Sequence, residues 1–313
     1  MLSTTQKQEL QSLFGEDCGF DLSLSPFTSM HVGGAADAIV WPKNEEELAK
    51  AVLWAREKKI PTLVLGKGSN TLVLDGGFRG MVLSLTKGFR GFSVLKEKGE
   101  NVWVNAQGGV PTQQFVRWCV DQGFAGAERL AGVPGTIGGN VFMNAGTHLG
   151  EIGDLVEEVQ ICDAKGKISI WPAAKLEFEY RKSSIPSSAV ILSAVLHLKK
   201  GEKEKLEKEV KGLFEKRGLS QPVDFPSLGS VFKNPPAGKH GRKKAWELIE
   251  DAGCKGVRVG GARVSERHAN FIINEGNATA KDVLILIGLI KDKVKEAAGI
   301  ALETEIKVAG EEK

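Results

Sequence analysis

The chain has 313 residues, a hydrophobic share of 42% and a charged share of 26%. That describes a soluble chain, longer than one ~150-residue domain, with material for a real core. Its net charge is only +3 and RKK at 242–244 is its one dense basic block, so nucleic acid is not the expected partner, although a phosphate-bearing small molecule is allowed. Cys18, Cys119, Cys162 and Cys254 lie far apart with no CxxC or Cys/His spacing, which argues against a metal site or disulfide framework and fits a reducing compartment.

The opening MLSTTQKQELQSLF lacks the charged and apolar regions of a signal peptide. The longest apolar run, 283–290, is far short of the ~20 residues a membrane span needs. A cytoplasmic protein without membrane contact is expected. A short helix is expected over 6–14, then a loop through SPFTSMHVGGAAD (25–37) into a strand ending at AIVWP. Asn44 is a good N-cap for a helix over 45–58, with Glu45, Glu46 and Glu47 in its first turn and Leu48, Val52 and Ala55 on one face. PTLVLG (61–66), a short apolar run between Pro and Gly, reads as a buried strand, and TLVLD (71–75) starts another.

GKGSN (66–70) between them reads as an anion cradle. Gly66 and Gly68 free backbone N–H groups, Ser69 and Asn70 add side-chain donors, and Lys67 adds a charge. It is neither a Walker A loop nor GxGxxG, and alone it is a weak signal.

GMVLSL (80–85), FSVLKEK (92–98) and NVWVNAQ (101–107) suggest a meander. PTQQFVRWCVDQG (111–123) suggests a helix with Phe115, Trp118 and Cys119 inward and Gly123 at its C-terminal end. Residues 126–150, GAERLAGVPGTIGGNVFMNAGTHLG, are dense in glycine yet carry Leu130, Val133, Ile137, Val141, Phe142 and Met143. A linker would lack those apolar residues. The stretch reads as a buried loop whose bare main chain faces an anionic or planar ligand, with a tightly packed turn as the alternative.

A hairpin across AKGK, the segment LEFEYRKS and a long strand AVILSAVLHLKK follow. GEKEKLEKEVKGLFEKRG (201–218) is an exposed charged helix and marks a domain boundary. Beyond it come FPSLGSVFKNPPAG (225–238) as strand, turn and loop, a helix over 243–253, a strand at 270–276, a long helix over 278–299, and a closing strand over 300–310. Within this half Ser230 sits on a Gly-preceded turn with no adjacent base, and Glu303 and Glu305 would share one face of a strand. Arg181, Ser230, these glutamates and His268 each have an ordinary structural reading beside the functional one.

Taken together, TSMHVGGAAD, GKGSNTLVLDGGFRG, GAERLAGVPGTIGGNVFMNAG, EYRKSS, SLGSVFKNP, AWELIEDAGCKG, GGARVSERHANFIIN and LETEI stand in an order that resembles the UDP-N-acetylenolpyruvoylglucosamine reductase (MurB) family. The resemblance implies an α+β chain with a two-part FAD-binding region of the vanillyl-alcohol-oxidase/PCMH type and a smaller α+β substrate domain. The parts would be 1–75, 76–201 and 202–301, with 302–313 returning a strand toward the active site.

It further implies non-covalent FAD, held by Gly66, Lys67, Gly68, Ser69 and Asn70 together with Gly132, Val133, Pro134, Gly135, Gly138, Gly139, Asn140, Asn144, Ala145 and Gly146. NADPH would reduce the flavin and leave. Hydride would then pass to C3 of UDP-N-acetylglucosamine enolpyruvate and a proton to C2, giving UDP-N-acetylmuramate for peptidoglycan. The motif positions make Arg181 and Glu305 stabilisers of the enolate and Ser230 the proton donor. A carboxylate beside an enolate implies a protonated Glu305, or one sharing its proton. Tyr180, Lys233 and Asn234 would meet the substrate.

A monomer with no metal is expected. Lys67 departs from the family's Gly or Ala, and Thr147-His148 from its Ala-Tyr. With Tyr180 the sole tyrosine, the branch that closes its site with an inserted tyrosine loop is excluded. An O2-using oxidase of the same fold, or a non-catalytic nucleotide-binding protein, are the competing readings.

Overall fold

A computed structural model describes residues 1–236 and 243–313. Ala237 and Gly238 of the expected loop, and Arg242 of the basic block, lie outside the described residues. The chain forms two compact units, Met1–Phe20 with Asp37–Lys67 and Gly80–Glu215, and Asp21–Ala36 with Gly68–Arg79 and Lys216–Lys313. Both mix helices and strands, so the chain is α+β.

The first unit begins with helix α1 (Thr4–Phe14), started by a capping box in which the Ser3 hydroxyl accepts from Gln6 N and the Gln6 side chain accepts from Ser3 N. Helix α2 (Glu45–Glu57) follows, with Asn44 Oδ1 accepting from Glu47 N at 2.9 Å. Leu10 and Phe14 pack with Leu48, Val52 and Trp54 over Met81 and Leu83. The sheet below runs Cys18–Ser23, Ala35–Val40, Phe78–Leu83, Thr62–Val64, and its last pair is parallel. Thr62–Val64 is therefore an edge strand. Its apolar run is largely exposed, with Val64 at 41%, where a buried strand was expected. Having a neighbour on one side only, it leaves the other flank to solvent.

A second, antiparallel sheet of the first unit orders its strands Ile168–Pro172, Val156–Cys162, Val190–Lys200, Asn101–Gln107, Phe92–Lys98. Its last two strands form the expected hairpin, but Phe78–Leu83 pairs in the other sheet, so the three do not make a meander. Helix α3 (Thr112–Asp121) and the short helix α4 (Ile137–Phe142) cover this sheet, burying Phe115, Cys119, Ile137 and Val141 completely. Helix α5 (Lys203–Ser220) buries only Leu206, as its charge pattern requires.

The second unit holds an antiparallel sheet of Ser227–Ser230, Phe271–Asn274, Ala262–Val264 and Arg258–Val259. Helices α6 (Ala245–Asp251) and α7 (Ala280–Ala298) pack on it through Leu248, Ile249, Val283, Leu286 and Ile290. A Thr279 capping box opens α7, and Gly299 closes it in the left-handed region at φ 69°. Of the expected closing strand over 300–310, only Lys307–Ala309 forms, in parallel with Thr71–Val73. Before it the chain keeps one isolated bridge, Thr304 to Phe232. Glu303 and Glu305 flank that bridge and lie outside any continuous strand. Among the described residues no helix is long and apolar enough to cross a membrane.

Candidate active site

In the first unit, Arg181 sits on the turn between two-residue strands, Phe178–Glu179 and Lys182–Ser183. Its backbone is left-handed at φ 57°, a conformation that costs a non-glycine residue roughly 1–3 kcal/mol and persists only where its surroundings enforce it. The guanidinium is held across a second small hairpin, Gly146–Thr147 with Gly150–Glu151. Nη1 donates to Glu151 Oε1 at 3.2 Å and Nη2 to the Gly146 carbonyl at 3.3 Å. The Tyr180 ring lies 4.7 Å from the guanidinium carbon and is itself 45% exposed. Arg181 is thus a positioned cation.

Asn144, almost fully buried and left-handed at φ 44°, organises the floor of this arrangement. Its Oδ1 accepts from Gly153 N at 3.0 Å, while Nδ2 donates to the Glu179 carbonyl at 2.9 Å and to Glu151 Oε2. Glu151 therefore joins Asn144 to Arg181. The sequence reading missed Glu151, because a lone acid after a glycine carries no local signal and its partner is 30 residues away.

The Gly-rich stretch divides its glycines between two uses. Gly138 and Gly146 serve close packing, since an added Cβ would lie 3.0 Å from the Gly108 carbonyl and 2.3 Å from the Gly150 carbonyl respectively. Asn140 is also internal, donating to Thr112 Oγ1 at 2.7 Å. Pro134 and Gly139, by contrast, are exposed. Gly135 is left-handed at φ 104°. Thr136 caps α4, and among the described residues the N–H groups of Gly135 and Thr136 find no main-chain acceptor. Gly66 reaches this place as well, for a Cβ on it would stand 2.8 Å from Thr136 Oγ1. Two segments singled out separately in the sequence therefore meet, the Gly66 main chain against the Thr136 side chain.

The second unit carries Gly68, Ser69 and Asn70. Gly68 is left-handed at φ 58°, and a side chain there would strike the Phe27 carbonyl at 2.6 Å. Its own carbonyl accepts from Ser29 N at 3.3 Å, and Ser29 Oγ donates to the Ser227 carbonyl at 2.6 Å. Asn70 Nδ2 donates to the Glu305 carbonyl at 3.3 Å, and Asn70 O accepts from Lys307 N at 2.9 Å.

Glu305 N donates to the Val231 carbonyl at 2.8 Å, which places Glu305 beside the residue after Ser230. Ser230 ends an irregular strand behind Gly229, left-handed at φ 74°, and its hydroxyl has no partner among the described residues. Buried Asn270 grips the next turn of chain from both sides, accepting from Phe232 N at 2.9 Å and donating to Phe232 O at 2.8 Å. Lys233 pairs with Glu303, Nζ to Oε1 at 2.5 Å, and that ammonium holds the Glu303 carboxyl below its ordinary range. Asn234 Oδ1 accepts from Ala245 N at 3.0 Å, at the start of α6.

His268 is half-buried against Trp246 and Phe271, and burial pushes its pKa down. Its Nδ1 accepts from Asn270 N at 3.2 Å. Among the described residues no group of His, Cys, Asp and Glu could hold a metal ion.

These residues fit a dinucleotide carrying a pyrophosphate. Gly66 and the Gly135–Thr136 main chain belong to one unit, and peptide N–H groups such as those of Gly135 and Thr136 are good phosphate donors. A family model described as an FAD binding domain matches residues 36–170. A VAO-type flavoprotein from Myceliophthora thermophila shares the fold at a TM-score of 0.50 and 11% identity, covering 97% of this chain and 63% of its own. Fold and site together define an FAD-dependent flavoprotein oxidoreductase.

The relatives narrow it further. The reductase of Syntrophus aciditrophicus, a UDP-N-acetylenolpyruvoylglucosamine reductase, is 39% identical over 98% of this chain and 96% of its own. The same-named protein of Streptococcus pneumoniae is 39% identical over 99% and 100%. The crystal structure of the Thermus caldophilus reductase matches at a TM-score of 0.78 and 35% identity, covering 92% of this chain and 98% of that one. A model of the reductase's C-terminal domain matches residues 221–309. The chain belongs to the UDP-N-acetylenolpyruvoylglucosamine reductase family.

Proposed function

We propose that this protein uses NADPH, through bound FAD, to reduce UDP-N-acetylglucosamine enolpyruvate to UDP-N-acetylmuramate for peptidoglycan synthesis. Likeness to the reductases over essentially the whole chain carries this reading. The anchored cation at Arg181 supports it from the chain's own geometry.

Bound FAD supplies a two-electron store between the nicotinamide and the enolpyruvyl double bond. Gly66, Lys67, Gly68, Ser69 and Asn70 would hold the flavin cofactor together with Gly132, Val133, Pro134, Gly135, Gly138, Gly139, Asn140, Asn144, Ala145 and Gly146. As C3 of the substrate gains a hydride, negative charge grows on the enolpyruvyl carboxylate. Arg181 meets that charge with a guanidinium already fixed in place, so little reorganisation is needed when the charge appears.

Ser230 gives its hydroxyl proton to C2 as general acid, which completes addition of hydride and proton across the double bond. Glu305 acts in its protonated form, since an ionised carboxylate there would oppose the developing charge. Lys233 and Asn234 take the nucleoside diphosphate, and Tyr180 lies along the sugar nucleotide. In this assignment 1–75 and 76–201 serve the flavin, 202–301 the substrate, and 302–313 returns Glu305. We read the protein as a cytoplasmic monomer.

Anaerobic stopped-flow at the flavin band tests the reaction. NADPH is mixed in first and should bleach the flavin; the enolpyruvyl substrate, mixed in second, should restore it. Recovery only on admitting oxygen would replace the reductase reading with the oxidase one, and no flavin signal after adding FAD would remove both.

A further inference from the structure

Resting on the reading of Arg181 above, the geometry points to Glu151 as a positioning residue that fixes the Arg181 guanidinium for substrate reduction. Two of the groups that hold Arg181, the Gly146 carbonyl and the Glu151 carboxylate, belong to residues that are register partners in one small hairpin. A guanidinium anchored at both strands cannot swing without breaking one of the two bonds. Gly146 is what lets the strands close, because a Cβ there would lie 2.6 Å from Glu151 Cα and 2.9 Å from its Cγ.

The carboxylate divides its oxygens, Oε1 toward Arg181 and Oε2 toward Asn144 Nδ2. Both partners are donors. An ionised carboxylate accepts at both oxygens, whereas a carboxamide of the same shape accepts at one and donates at the other. Glutamine at 151 would turn an N–H toward either Arg181 or Asn144, and one arm must fail. Asn144 cannot adapt by flipping its amide, since Oδ1 already accepts from Gly153 N and Nδ2 already donates to Glu179 O. Glu179 precedes the turn on which Arg181 sits, so the same asparagine fixes both the carboxylate and the base of that turn. The acid is required for its acceptor pattern as much as for its charge.

A guanidinium displaced by about 1 Å from a charge that appears only in the transition state can cost of the order of 10²-fold in rate. Glu151→Gln should therefore slow reoxidation of the reduced flavin by substrate ~10–100-fold. It should leave reduction by NADPH within about two-fold, because that half-reaction creates no enolate. Glu151→Asp keeps two acceptor oxygens and should recover part of the loss. In the Arg181→Ala background Glu151→Gln should add nothing, since the residue it positions is gone.

All variants are measured by single-turnover stopped-flow in both half-reactions, with flavin content confirming a folded protein. If Arg181→Ala slows reoxidation and Glu151→Gln does not, Glu151 has no positioning role. Equal slowing of both half-reactions by Glu151→Gln, or loss of flavin from Glu151→Gln and Glu151→Asp alike, would make it a structural residue only. If Arg181→Ala itself reoxidises at the wild-type rate, the underlying reading of Arg181 falls, and that result is separable from the other two.

Discussion

Ser230 combines a hydroxyl that no described residue occupies with a position beside the backbone of Glu305. Ser230→Ala should keep rapid flavin bleaching by NADPH and lose most of the recovery with substrate, checked by the two half-reactions separately. Normal rates in both would remove the proton-donor role. Gly68 is constrained from two directions, by its left-handed φ of 58° and by the Phe27 carbonyl 2.6 Å from any added Cβ. Gly68→Ala should destabilise the fold by roughly 1–3 kcal/mol, read in urea melts, and lower FAD affinity with it. At this scale the sequence was partly legible. The glycines announce special backbone, yet they do not say which of them face a ligand and which, like Gly138 and Gly146, only let two pieces of main chain touch. The partners that hold Arg181 and the chain just after Ser230 were invisible, because Glu151 reaches Arg181 and Asn270 reaches Phe232 through contacts spanning 30 and 38 residues.

Elements were most legible where their end signals are local. Asn44 before its three glutamates caps α2 where the chain pattern put it, and the long helix expected over 278–299 runs from Ala280 to Ala298 between the local devices Thr279 and Gly299. Burial was less legible. An apolar run at 62–64 gives the same pattern at a sheet's edge as at its centre, and pairing decided the matter. Residues 300–306 look like strand because they alternate, but among the described residues their only strand-type pairing is the isolated bridge of Thr304 to Phe232.

The strand Phe271–Asn274 and helix α6 create a titrating contact of their own at His268. Burial against Phe271 and Trp246 depresses its pKa below the ordinary value near 6.5. Lys255 and Arg217 push the same way, and Glu250 opposes them. The folded state thus prefers the neutral ring, while an unfolded chain takes up its proton near the ordinary value. Stability from this group is full above that value and is lost as pH falls through it toward the depressed folded pKa. Urea melts from pH 7 to 5 should show a steeper decline for the wild type than for His268→Gln. Parallel curves would mean that the ring is hydrated in solution.

For the whole molecule, a cofactor that binds only the folded state adds its binding energy to stability. At a free FAD concentration 100 times Kd the gain is about 2.7 kcal/mol. Stripping flavin should lower the melting temperature by several degrees, and titrating FAD back should restore it in step with the returning absorbance. Equal melting temperatures with and without FAD would contradict a flavin site built into the fold.

The chain passes from one compact unit to the other after residues 20, 36, 67, 79 and 215. Neither unit is a continuous stretch of polypeptide. Thr71–Val73 must wait for Lys307–Ala309, 307 − 71 = 236 positions later, before their parallel ladder can close. At a synthesis rate of 5–20 residues per second, that delay is roughly 10–50 s. During it Leu72 and Val73, both buried in the finished protein, stand without their partner strand. Closure of this ladder is therefore timed by translation as well as by the chain's own folding.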